Sequence, residues 1–142
     1  MSAMADLTCA AMTDAYRRGE LSPVEVARDL MARIERHAEF NAFLALDTAA
    51  VLASARQSEA RWQAAAPLGA VDGVPATVKD NIWAKGLPTR RGSKTSNARP
   101  APADSPAVAR LREQGAVVEE ADPPLERGLD LNPRHAALPR AL

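Results

Sequence analysis

Cysteine is nearly absent from this chain of 142 residues: Cys9 is the single one, so no internal disulfide framework is available. It sits in a helical pattern without metal-ligand company, which fits a reducing cytoplasm. Aromatics are scarce at 4%, and much of the 46% apolar fraction is alanine. Alanine buries little area per residue, so any core is expected to be thin for the chain's length. No excess of one charge exists either, with Lys plus Arg and Asp plus Glu both at 18. A neutral chain projects no field to draw in nucleic acid or an acidic membrane surface. Long hydrophobic runs are missing, and Met1 to Met12 has no basic start. Neither a signal peptide nor a membrane span is therefore expected, and the location expected is cytoplasmic.

What is present is periodic. A helix is expected over 8–18, closed by Gly19 as a C-terminal cap. Ser22, Pro23 and Glu25 form a capping box with proline at the first helical position, opening a helix over 22–37. Val26, Leu30 and Ile34 recur every four residues there, with Ala27 and Met31 beside them, as one apolar stripe. The short run Asn41 to Leu46 suits either a strand or a helix entry. Asp47 or Thr48 then caps an alanine-rich helix over 48–65, with Val51, Ala55 and Trp62 near one face and Pro67 beyond its end.

From Leu68 the period changes from helical to alternating. Gly69 and Gly73 mark turns, and Val74, Ala76 and Val78 alternate with Pro75, Thr77 and Lys79, giving a strand over 74–79. Residues 80–103 form a long loop with Gly86, Pro88, Gly92, Pro100 and Pro102. A helix over 105–114 and a strand over 116–119 follow, and strand, loop, helix, strand implies one parallel crossover. The segment 122–142, broken by Pro123, Pro124, Pro133 and Pro139, reads as a disordered tail. The fold class is thus α/β, with N-terminal helices before a small mixed-sheet fragment and one crossover helix, all within residues 1–121.

Lys79 is the polar residue with the most specific chemical case. It ends a strand expected to be at least half buried, followed at once by Asp80 and Asn81. A lysine held where water is scarce loses its preference for the charged form and can act as a base. Residue chemistry alone favours the plainer reading, an ammonium in water at a strand end, paired with Asp80. Other candidates carry less. Ser93 and Ser96 lie in the loop with no base nearby in sequence, and His37 and His135 lack ligand partners at metal spacing, so no metal or cofactor is expected. Trp83 is expected to pack against the loop or line a pocket. Arg90, Arg91, Lys94 and Arg99 read as a solvated basic surface without the interleaved aromatics of a nucleic-acid platform.

Longer motifs shift this balance. Leu68-Gly69-Ala70-Val71-Asp72-Gly73-Val74-Pro75-Ala76-Thr77-Val78-Lys79-Asp80-Asn81-Ile82 resembles the lysine motif of the amidase signature family. The resemblance continues through Lys85-Gly86-Leu87-Pro88-Thr89, Gly92-Ser93-Lys94 and Asp104 to Leu111. Upstream, Glu20 to Val26, Arg33-Ile34-Glu35 and Asn41-Ala42-Phe43 also match, so residues 7 to about 118 are covered. The resemblance implies a Ser–cis-Ser–Lys hydrolase of carboxamides, with Lys79 as the catalytic lysine and Asp80 and Asn81 supporting it. In that family the lysine takes a proton through a bridging serine, which activates a second serine to attack the amide carbon. Backbone amides of a Gly-rich loop hold the oxyanion, and water releases the acid.

The departure lies in the serines. Ser2, Ser22, Ser54, Ser58, Ser93, Ser96 and Ser105 are all there are, and none stands in a Gly-Ser-Ser-Gly stretch. Where the family's serine loop would follow, Val118 to Glu126 instead resembles a segment the family carries much later, as if the reading frame joined two distant pieces. The expectation is an amidase-like chain holding only the lysine part of the site, inactive alone and acting on a small amide only if complemented. The alternative is a non-catalytic remnant or small partner-binding module, self-associating or engaging an amidase protomer through an exposed sheet edge.

Overall fold

A computed structural model describes residues 4–40, 43, 46–86, 89–91, 95 and 99–120. After a 3-10 turn at Met4–Asp6 come helices α1 (Cys9–Arg18) and α2 (Pro23–Arg36), then a 3-10 turn at Ala38–Phe40 and helix α3 (Thr48–Gln63). Strand β1 (Pro75–Val78), helix α4 (Pro106–Glu113) and strand β2 (Val117–Glu120) complete the order. No helix among the described residues is long and apolar enough to cross a membrane. The expected tail, and most of the run from Asn41 to Leu46, lie outside the described residues.

Local chemistry sets the helix ends. Thr8 caps α1 by accepting from Ala11 N, and Gly19 closes it in the left-handed region at φ 69°. At α2 the capping box is complete: Ser22 Oγ accepts from Glu25 N at 3.1 Å, and Ser22 N donates to Glu25 Oε2 at 2.8 Å. Such a cap is worth about 1 kcal/mol. Helix α3 starts after Asp47, whose carboxylate accepts from Ala50 N, and stops two residues short of the expected 65. The two strands are each shifted or trimmed by a residue or two relative to expectation, and Lys79 falls just outside β1.

Helix α2 is the centre of the molecule. Val24, Ala27 and Met31 pack on Val51 and Ala55 of α3 and on Val117 of β2. Val26 turns the other way, onto Met12 and Tyr16 of α1 and Val74 before β1. The single stripe read along α2 therefore serves two clusters, with Leu30 and Ile34 only partly buried at the rim of the first. A third cluster joins Val78, Ala84 and Val108 beneath α4. The largest apolar side chains with under 2% exposure are valines, namely Val26, Val108 and Val117, as an alanine-rich, aromatic-poor sequence requires.

The sheet is a parallel pair, with Pro75 opposite Val117 and Val78 opposite Glu120. Parallel strands need a crossover, and α4 supplies it, packed on β2 through Val108 and Val118. Among the described residues each strand pairs along one edge only.

Candidate active site

The lysine strand is held in place by a buried polar node at the turn before it. Asp72 is wholly buried. Its Oδ1 accepts from Ser58 Oγ at 2.6 Å and from Arg61 Nη2 at 2.7 Å. Its Oδ2 accepts from Arg61 Nε at 2.8 Å and from Leu68 N at 2.7 Å. Burial alone would raise this carboxyl, but the Arg61, Ser58 and Leu68 donors outweigh it and hold the group below the ordinary carboxylate value of 3.8. Ser58 and Arg61 sit three apart on α3, so one helix face delivers both. The node therefore fixes the turn against α3. With no histidine in it and with its charge already neutralised by Arg61, it offers no base for the Ser58 hydroxyl.

The surrounding backbone is equally committed. Trp62 Nε1 donates to Asp72 O at 3.1 Å, and Tyr16 Oη donates to Gly73 O at 3.2 Å, with burial pushing the Tyr16 phenol upward. Gly73 N donates to Gly115 O at 3.0 Å, and Val117 N to Val74 O at 2.9 Å, which starts the parallel ladder. Gly115 has φ +82°, and a Cβ there would lie 2.6 Å from Asp72 Cγ. Only glycine fits both the conformation and the space. Read as sequence, Gly69 and Gly73 mark turns and Asp72 carries no role. The Ser58 and Arg61 spacing ahead of an Asp-Gly turn is the signal that could have found it.

Beyond the node, β1 runs outward to the candidate residues. Along it Thr77 is exposed, Val78 buried and Lys79 exposed again. Of the two readings of Lys79, a poorly solvated lysine or a strand-end ammonium in water, the structure shows the exposed one. Alternation puts Lys79 on the face of Thr77, and that face is open, while Val78 takes the covered one. Lys79 O accepts from Ile82 N at 2.9 Å, so the chain turns directly after it. Asp80 Oδ1 accepts from Arg90 N at 2.8 Å, and its carbonyl from Arg91 N at 3.2 Å. It thereby clips the far part of the loop to the strand end. Asn81 is exposed beside it.

The loop 80–103 has anchors at both ends. Ser105 N donates to Trp83 O at 2.8 Å, Lys85 N to Asp104 Oδ1 at 2.7 Å, and Gly86 N to Ala101 O at 3.0 Å. Trp83 is half exposed and lines a cavity of about 520 Å³ with Arg91, Arg99, Pro100, Ala101 and Pro102. Ser93, Ser96, Lys94 and His135 lie outside the described residues. His37 is the C-cap of α2 and faces Glu39, with Nδ1 3.5 Å from Oε1. Cys9 is exposed at the start of α1. Among the described residues no three His, Cys, Asp or Glu side chains converge as a metal site would require.

The site is an α/β unit whose parallel strand is followed directly by a turn in which Lys79 and Asn81 are exposed. The family described as Amidase matches residues 25–119, and the chain belongs to that family. A glutamyl-tRNA(Gln) amidotransferase subunit of Salinispora tropica is 42% identical over 120 residues, covering 81% of this chain and 24% of the relative. Its mitochondrial counterpart in Ornithorhynchus anatinus is 31% identical over 115 residues, covering 81% of this chain and 22% of the relative. The native peptide amidase of Stenotrophomonas maltophilia superposes with a TM-score of 0.73 at 28% identity, over 82% of this chain and 24% of that one. Fatty acid amide hydrolase shares the fold with a TM-score of 0.76. The chain thus spans about a quarter of the length of the curated relatives it matches.

Proposed function

We propose that this chain contributes the lysine of an amidase active site, for hydrolysis of a carboxamide C–N bond, and that it does not turn over amides alone. The observation that carries the reading is the position of Lys79. It stands at the carboxyl end of a parallel strand, on the open face, where ligands sit in open α/β sheets. Asp80 ties the following loop to that same end.

In the complete reaction, Nζ of Lys79 accepts a proton through a bridging serine hydroxyl. The attacking serine oxygen adds to the amide carbon, and ammonia leaves after the proton returns to nitrogen. Water then cleaves the ester, releasing the acid and restoring the serine. Lys79 is exposed in this chain, with no further strand covering the face it shares with Thr77 among the described residues. No serine in a Gly-Ser-Ser-Gly stretch accompanies it in this chain. Both facts support inactivity in isolation.

The test is ammonia release from simple carboxamides by the purified chain, by a relative's segment lacking the counterpart of residues 25–119, and by their mixture. Release only in the mixture, abolished by Lys79→Ala, is the expected result. Turnover by the chain alone that survives Lys79→Ala sinks the reading, as does a mixture inert at every ratio. A second reading, a partner-binding module, rests on the two-stranded sheet, in which each strand has one unpaired edge among the described residues. Sedimentation across a concentration series separates it from a monomer.

A further inference from the structure

We propose that the cleft between Trp83 and the Arg91 and Arg99 side chains is a binding site for an organic carboxylate on a flat apolar body. Charge is the first observation. The chain as a whole is neutral, yet residues 79–104 hold six cations (Lys79, Lys85, Arg90, Arg91, Lys94, Arg99) against two carboxylates, Asp80 and Asp104. Both carboxylates accept from backbone amides of the loop, Asp80 from Arg90 N and Asp104 from Lys85 N. Of the cations, Arg91 and Arg99 are exposed and line the cleft, whereas Nε and Nη1 of Arg90 are buried.

Shape is the second observation. The cavity of about 520 Å³ falls in the range that takes a small organic ligand. Each wall is pinned. Trp83 is held through its carbonyl by Ser105 N, and Ala101 pairs with Lys85 in a parallel bridge between Pro100 and Pro102. Arg91 occupies the left-handed region at φ 54°, a conformation that opposes an ordinary side chain, and Asp80 O holds its N–H there. A strained residue fixed by its surroundings at the rim of a cleft is the pattern of a preorganised binding position.

The chemistry follows from the residue types. A half-exposed indole offers a flat face for an apolar ring, and guanidinium forks match the two oxygens of a carboxylate. The proposal rests on the cleft's own residues and stands whether or not Lys79 takes part in amide hydrolysis.

The experiment titrates the whole chain with 1-naphthoate and with its neutral isostere 1-naphthamide, following the indole N–H and arginine Nε–H signals by NMR. Trp83→Phe assigns the indole signal. Saturable naphthoate shifts at Trp83, with the amide at least about fivefold weaker, are expected. Arg91→Gln with Arg99→Gln should bring the acid down to the amide's affinity, and added salt should weaken the acid alone. Arg91→Gly, which relieves the backbone strain while removing the guanidinium, gives the same comparison if the double variant folds poorly. Equal binding of acid and amide, affinity unchanged by the arginine variants, or no saturable shift overturns the site.

Discussion

Arg61 grips both oxygens of the buried Asp72, with Nε at 2.8 Å from Oδ2 and Nη2 at 2.7 Å from Oδ1. The pair joins the last turn of α3 to the turn that launches the lysine strand. Removing one partner leaves the other unpaired in a place it cannot easily leave. Arg61→Ala is therefore expected to cost about 2–3 kcal/mol, the lower end for a buried pair because a quarter of the Arg61 side chain stays exposed. Asp72→Ala should cost more, about 3–5 kcal/mol, since Ser58 and the Leu68 amide lose their acceptor too. Urea unfolding of both singles and the double measures the coupling. Additive losses would show that the two side chains do not act as a pair.

The same node makes stability depend on acid. Asp72 has its folded value held below 3.8, so the unfolded chain takes up the proton first as pH falls. The contribution is fully present above the unfolded value and is lost as pH drops through the folded one. Below about pH 4 the wild-type chain should lose stability more steeply with falling pH than Asp72→Asn. Urea midpoints across that window check it, and parallel curves would mean that Asp72 does not titrate in this way.

Two glycines with positive φ separate backbone strain from crowding. At Gly19, φ is +69° and a Cβ would meet nothing within 4 Å, so Gly19→Ala carries strain alone, about 1 kcal/mol. At Gly115, φ is +82° and the Cβ would press on Asp72, adding a clash with the node. Gly115→Ala is expected to cost about 3 kcal/mol or more. Equal losses in thermal or urea unfolding would show that the Asp72 side chain yields freely.

What could be read from the sequence was mostly local. The Ser22 and Glu25 box, the Gly19 stop and the Thr77, Val78, Lys79 alternation each depend on neighbours within a few residues. The Asp72 node was not legible because its donors come from Ser58, Arg61 and Leu68, which meet only when α3 lies against the turn. The exposure of Lys79 agrees with the plainer reading of its residue chemistry, but the pattern alone could not settle it. Alternation says which residues share a face, but not whether other strands cover that face. The Trp83 cleft needed the loop to close, bringing residues 83 and 91 against 99–102.

Lys79 and Val78 are adjacent on one strand end yet should respond oppositely to truncation. Val78 is buried in the cluster with Ala84 and Val108, so Val78→Ala removes apolar burial and should cost about 1–2 kcal/mol. Lys79 is exposed on the opposite face, and Lys79→Ala should change stability by no more than about 0.5 kcal/mol. A residue whose removal the fold does not register is free to serve chemistry, which is what the amidase reading requires of it. Urea unfolding of the two single variants decides the matter. A loss above about 1 kcal/mol for Lys79→Ala would make the ammonium part of the scaffold, and its absence from a complemented assembly could no longer be read as loss of a base.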